Sequence, residues 1–164
     1  MNGTAPDADR RIQGRDDHFC FGCGALNPHG LHLVFYPRED NRGVWSPWTP
    51  EQVHEGYTGI VHGGIISAVL DEVMAWSLYQ RQIWAVTAKM ELAFRKPVEV
   101  GVSTRAIGQI DADRGRVIEM SAQLRRVADD TLLAGATATF IKVPEQQARE
   151  WQAKYLRDRP VQTP

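Results

Sequence analysis

The 164-residue chain is 43% hydrophobic and 24% charged, with a net charge of −1, a balance that fits one globular domain long enough to bury a core. It supplies no polybasic surface for nucleic acid or a membrane, and no run of about eighteen apolar residues that would cross a bilayer. The opening "MNGTAPDADRRIQGRDD" lacks the apolar stretch of a signal peptide or anchor, so the two cysteines point to free thiols in a reducing cytoplasm.

In chain order, residues 1–17 are polar and read as a loose leader, residues 18–143 as the folded domain, and 144–164 as a charged C-terminal helix with a Pro-containing tail. After the cysteine loop "CFGCGALNPHGL" (20–31), "LHLVFYP" (31–37) and "GVWSPW" (43–48) read as strands joined by the turn "REDN". A long loop rich in glycine and rings covers 49–64. Helical periodicity then begins. Ile65, Ile66, Val69, Leu70, Val73, Met74 and Trp76 share one broad face, and the helix is expected to end near Gln80.

Beyond the helix the pattern is strand. In 84–94, Trp84, Val86, Ala88, Met90, Leu92 and Phe94 alternate with Thr87, Lys89 and Glu91 at a period of two. Strands at 99–110, 115–127 and 131–143 follow, with "DADRG" and "ADD" as turns. Consecutive strands with short turns predict an antiparallel meander. A helix with a wide apolar face needs a cover, so the fold class is α+β, with an antiparallel sheet wrapped around one long central helix.

The chemistry concentrates in "VHGGIISAVLDEV" (61–73). Free backbone N–H groups and the positive dipole end make a helix start a site for a developing negative oxygen, and Gly63 and Gly64 let a ligand approach closely. Asp71 lies opposite the apolar stripe, on a face shared with the small residues Gly64, Ser67, Ala68 and Ala75. Seven residues separate Gly64 from Asp71, roughly 10 Å along the axis. An oxyanion donor and a water-activating carboxylate must both come within about 3–3.5 Å of the reacting atoms. One helix does not achieve that, but two antiparallel copies related by a twofold axis do. A catalytic site here therefore requires at least a dimer.

His62-Gly63-Gly64, the acid at Asp71 nine residues after the histidine, and the strand "VTAKMELAFRKPV" together resemble the hotdog-fold acyl-CoA thioesterases, in the branch that includes the phenylacetate-pathway thioesterase. The likeness spans roughly residues 20–143. It implies hydrolysis of an acyl-CoA to free acid and CoA by a homodimer or tetramer, with no metal or cofactor beyond the CoA on the substrate. It further implies that the Gly64 N–H polarises the carbonyl and that His62 orients the substrate. Asp71 of a partner chain acts as general base or nucleophile, and Thr87 helps to hold the water or the carboxylate. Gly63, Tyr57 and Trp76 are the candidate substrate contacts, with Met74 as a further acyl-pocket candidate. Arg95 and Lys96, followed by Arg125 and Arg126, are the candidates for the CoA phosphates. Some relatives carry an Asn six residues before the histidine as a second oxyanion donor. Gly56 stands there in this chain, leaving His54, Tyr57 or Thr58 as substitutes.

The same resemblance makes "CFGCGALNPHGL" a family entry loop. Tetrahedral zinc wants four ligands. Cys20 and Cys23 offer two, and His29 and His32 complete the set by spacing alone, although His32 is expected inside a strand. Without a thioredoxin-like βαβ context a redox pair is not indicated either, so the thiols are read as inert and the chain as metal-free. Two rival functions remain: a hydroxyacyl-thioester dehydratase using His54 with Glu55 or Glu72, and a non-catalytic acyl-CoA-binding protein.

Overall fold

The computed structural model describes residues 10–14 and 17–155. Six strands form one antiparallel sheet in the order β1-β2-β6-β7-β8-β5, where β1 is Tyr36–Pro37, β2 Val44–Trp48, β5 Ala85–Phe94, β6 Thr104–Arg114, β7 Val117–Arg126 and β8 Leu132–Lys142. A small hairpin of β3 (Glu55–Tyr57) and β4 (Ile60–Val61) stands apart from it. One long helix, α1 (Gly63–Tyr79), lies across the sheet, and a second, α2 (Glu145–Tyr155), follows β8.

The apolar stripe of α1 forms the centre of the core. Ile66, Val69, Leu70, Val73, Met74 and Leu78 are buried against Val44, Ala106, Ile118, Met120, Leu124 and Phe140, each worth about 1.5–3 kcal/mol for a large aliphatic side chain taken out of water. The helix comes closest at β6. A Cβ on Gly108 would lie 2.5 Å from the Val73 carbonyl oxygen and 3.0 Å from Ser77 Oγ. Ser77, buried on this face, donates to Val73 O at 2.9 Å and accepts from Val44 N at 3.2 Å. A polar residue thus satisfies itself inside the interface while its small size lets the backbones meet.

Several expectations shift in detail. Only Tyr36–Pro37 of the segment 31–37 is strand. Leu31, Leu33 and Phe35 are still buried alternately, but Leu31 N and Leu33 N donate to Phe21 O and Gly22 O rather than to a sheet neighbour. His32 takes φ of 48°, so it is not locked into a strand as anticipated. Ile12, inside the expected leader, is only 8% exposed and donates its N–H to Phe35 O. The rest of that leader, residues 1–9 and 15–16, and the tail beyond 155 lie outside the described residues. Glu99 forms an isolated bridge to Ile60 and 100–101 are a turn, and β6 runs on to Arg114, leaving Gly115 (φ 77°) and Arg116 as the hairpin loop. The meander holds for β6-β7-β8, but β5 pairs with β8 and not with β6. The free side of β6 is taken by β2 through Trp45↔Ile107, so β5 closes the other edge, and the connection from 95 to 103 carries the buried Val98.

Gly108→Ala would force a methyl group into the Val73 carbonyl. We expect a loss of about 1–3 kcal/mol, read from urea unfolding of the two proteins. An unchanged midpoint would mean that α1 can retreat from β6 at no cost.

Candidate active site

The start of α1 is built by its own histidine. His62 is the N-cap, in extended conformation, and its Nδ1 accepts the Gly64 N–H at 2.9 Å. This is side-chain capping of a free helix N–H. The amide expected to polarise a carbonyl therefore already has an acceptor, on an exposed ring that a ligand could displace. Gly56 explains the missing Asn in part. A Cβ there would lie 3.1 Å from His62 Cα and 3.3 Å from its Cδ2, so the imidazole occupies the space into which a side chain at 56 would project.

Asp71 lies two turns along, half-buried, and Thr87 Oγ1 donates to its Oδ1 at 2.7 Å. Strict alternation would have pointed Thr87 away from the helix side occupied by Met90 and Leu92. A bulge between Thr87 and Lys89 absorbs Ala88 and re-aims the strand. Thr87 then pairs with buried Phe140, Met90 with Ala138 and Leu92 with Ala136, all on the helix side. At the opposite end of β5, Phe94 reaches the helix start, 3.4 Å from where a Gly63 Cβ would stand. The structure thus brings Asp71 to Thr87 and Gly63 to Phe94, and leaves Gly64 and Asp71 at separate ends of one helix face.

The remaining candidates are dispersed. Tyr57 is 85% exposed beside the helix entry, as is Val53 at 84%. Arg95 and Lys96 are exposed in the turn after β5, whereas Arg125 is engaged by Asp130 and Arg126 by Asp129. Met74 is fully buried core, with no surface for an acyl group. Trp76 stacks on Phe35 at 4.4 Å and donates Nε1 to Glu72, on a side of α1 away from Gly64. His54 is not free to stand in for an oxyanion donor. It is buried, its Nδ1 accepts from Glu51 N at 2.9 Å, and its carbonyl accepts from His62 N. Glu55 is occupied in accepting the Gly59 N–H, and Glu72 belongs to another cluster, so the histidine–acid pair of a dehydratase is not assembled.

That other cluster is what sequence reading missed. Cys20, Cys23 and Glu72 place one ligand-type atom each within 4.8 Å of one another. Cys20 Sγ lies 3.6 Å from Glu72 Oε1. Three acidic groups so close do not all ionise together. Burial pushes Glu72 up to about 7, the Cys23 hydrogen bond draws Cys20 down to about 5, and Cys23, giving that bond, is pushed up. The only signal in the sequence was that Glu72 sits one residue past Asp71, on a flank of the helix that the apolar stripe leaves open. His29 and His32 are exposed and take no part in it. Beside the cluster lies a cavity of about 610 Å³, walled by Trp76, Tyr79, Trp84 and Tyr155.

Burial lowers His54 below its ordinary 6.5, so the unfolded chain holds that proton more tightly than the folded one. The His54 contribution is fully present above about 6.5 and is lost as pH falls through the folded value. Denaturant unfolding at about pH 7 and about pH 5 should therefore show a smaller acid-induced loss in His54→Gln than in the wild type. An equal loss in both would assign the acid sensitivity elsewhere.

Residues 58–133 match the family model described as "Thioesterase superfamily". Over 116 residues the chain is 27% identical to the acyl-coenzyme A thioesterase THEM4 of Mus musculus, covering 71% of this chain and 50% of that protein. The chain spans about half the length of the curated relatives it matches. Among solved structures it resembles the thioesterase superfamily protein RHA08564, with a TM-score of 0.68 and 22% identity over 73% of this chain and 58% of the other. It also resembles the E. coli PaaI protein from the phenylacetic acid degradation operon, with a TM-score of 0.63 and 14% identity over 68% of this chain and 84% of that one. At those identities the structural likeness speaks for the fold. The antiparallel sheet around α1 is the hotdog fold, and residues 58–133 are similar in sequence to the thioesterase superfamily.

Proposed function

We propose that the protein hydrolyses an acyl-CoA thioester to free acid and CoA, in sites each shared between two copies of the chain. The observation that carries this is the placement of a Thr87-held carboxylate and an approachable helix N-terminus on one face of α1, too far apart to serve a single carbonyl. Ser67 and Ala68 lie midway between Gly64 and Asp71, and Met90 and Glu91 lie midway between Thr87 and Phe94. A twofold axis passing there sets the Asp71–Thr87 end of one chain against the Gly63–Phe94 end of the other. The ten-residue edge strand β5 offers its free backbone groups to the same association. Whether such dimers pair further into tetramers depends on the outer face of the sheet.

In the shared site the substrate carbonyl replaces His62 Nδ1 as acceptor of the Gly64 N–H. His62 swings aside and orients the acyl group, with Gly63 allowing close approach. Asp71 of the other copy takes a proton from water as it adds to the carbonyl carbon, or itself attacks to give a mixed anhydride that water then opens. Either way the C–S bond breaks and CoA leaves as the thiol. Preorganised N–H stabilisation of the oxyanion is the largest contribution expected. Arg95 and Lys96 meet the CoA phosphates, while Tyr57 borders the acyl group. Coenzyme A enters only as part of the substrate, and the two free thiols fit a reducing, cytoplasmic location. One observation favours a second reading, an acyl-CoA-binding protein without turnover: the Gly64 N–H is already capped.

Free-thiol release from short, long and aromatic acyl-CoAs, measured for wild type and Asp71→Asn side by side, tests this. Loss of the general base is expected to cost at least about a hundredfold. Tight acyl-CoA binding with no thiol release by the wild type would instead establish the binding protein, and full activity in Asp71→Asn would remove Asp71 from the mechanism.

A further inference from the structure

We infer that Cys20, Cys23 and Glu72 form a binding site for a divalent metal ion of the zinc class, open on one side to the aromatic cavity. The site is separate from the Asp71–Gly64 machinery and does not depend on the thioesterase reading.

The geometry is that of a tetrahedron with one corner free. Cys20 Sγ lies 3.6 Å and 3.8 Å from the two Glu72 carboxylate oxygens, and all three donors fall within 4.8 Å of one another. Zinc–sulfur bonds of about 2.3 Å and zinc–oxygen bonds of about 2.0–2.2 Å at a tetrahedral angle require a sulfur–oxygen edge of roughly 3.6 Å. An ion fits among these atoms with little movement.

The surroundings are shaped for that approach. The turn from Cys20 to Gly24 is closed by Gly24 N donating to Cys20 O at 2.9 Å, which turns both sulfurs to one side. Gly22 lies between them, directly against the acid: a Cβ there would stand 2.4 Å from the Glu72 carboxyl carbon. A larger residue here would have to push the Glu72 carboxylate aside. Trp76 Nε1 donates to Glu72 Oε1 at 3.1 Å, an outer contact of the kind that fixes a carboxylate ligand and leaves its other oxygen available. The fourth position faces the cavity that Cys20, Cys23 and Glu72 themselves help to wall.

The donor set selects the ion. Two thiolates disfavour magnesium and calcium, while sulfur with one carboxylate oxygen in a four-coordinate frame suits zinc. The missing signal in the sequence was the third ligand, since His29 and His32 are exposed and outside the cluster and the acid comes from a helix some fifty residues on. Binding would tie the entry loop to α1 at the residue next to Asp71. Because the ion binds only the folded arrangement, it should raise stability.

The test is cobalt(II) titration of the full chain, reduced, stripped with chelator and handled without oxygen. The expected result is a thiolate-to-cobalt charge-transfer band with the strong ligand-field bands of tetrahedral cobalt, saturating stoichiometrically and displaced by zinc. Cys20→Ser and Cys23→Ser should each diminish the charge-transfer band. Glu72→Gln, which keeps both sulfurs and should fold, is expected to retain that band while weakening affinity at least about tenfold. Absence of a charge-transfer band in the wild type with both thiols titratable would overturn the proposal. So would a weak octahedral spectrum, or cobalt affinity unchanged in Glu72→Gln.

Discussion

The contact between α1 and β6 at Gly108 organises the molecule. Backbone approaches side-chain-free backbone there, with Ser77 satisfying its own hydroxyl in the seam. Burying Val69, Leu70, Val73 and Met74 against the sheet fixes the rotation of the helix about its axis. Once that rotation is set, the other faces are assigned: Gly64, Ser67, Ala68 and Asp71 turn to one flank and Glu72 and Trp76 to another. The functional geometry follows from packing, since the residues that carry chemistry have no freedom to choose their direction.

Two consequences come from the stiffness of a helix. Its rise keeps Gly64 and Asp71 roughly 10 Å apart, and no side-chain adjustment removes that distance, so the shared-site reading follows from the length of seven residues. The bulge in β5 serves the same end by putting Thr87 on the side of Asp71 without disturbing Met90 and Leu92. Meanwhile the His62 ring covers the Gly64 N–H and fills the space beside Gly56. One residue thus accounts for the helix cap and for the small side chain at 56, and in the proposed reaction the substrate carbonyl displaces it.

The sheet-and-helix layout was legible in the sequence because both periods are clean: 3.6 from Ile66 to Leu78, and two along β7 and β8. The pairing of β5 with β8 was not legible, because alternation says which face a residue takes and nothing about its neighbour strand. The Thr87 direction was reached through the resemblance and ran against the alternation, since a bulge leaves no mark in hydrophobic pattern. Of the candidate residues, Asp71 meets Thr87 and Gly64 meets His62 as two separate pairs, while Trp76 lies with Glu72. That cluster escaped notice because its members are distant in sequence: the Cys-x2-Cys pair was visible, but its third partner is defined only by the fold.

The central claim is that each site takes its amide from one chain and its carboxylate from another. Mixing the Asp71→Asn chain with a Gly64→Pro chain tests it most directly, both variants being inactive alone and folded by circular dichroism. After exchange of subunits, half of the dimers are mixed and each contains one intact site, so about a quarter of wild-type thiol release should return. If no activity returns although the mixed dimers form, the amide and the carboxylate do not act on one substrate across the interface, and the account fails.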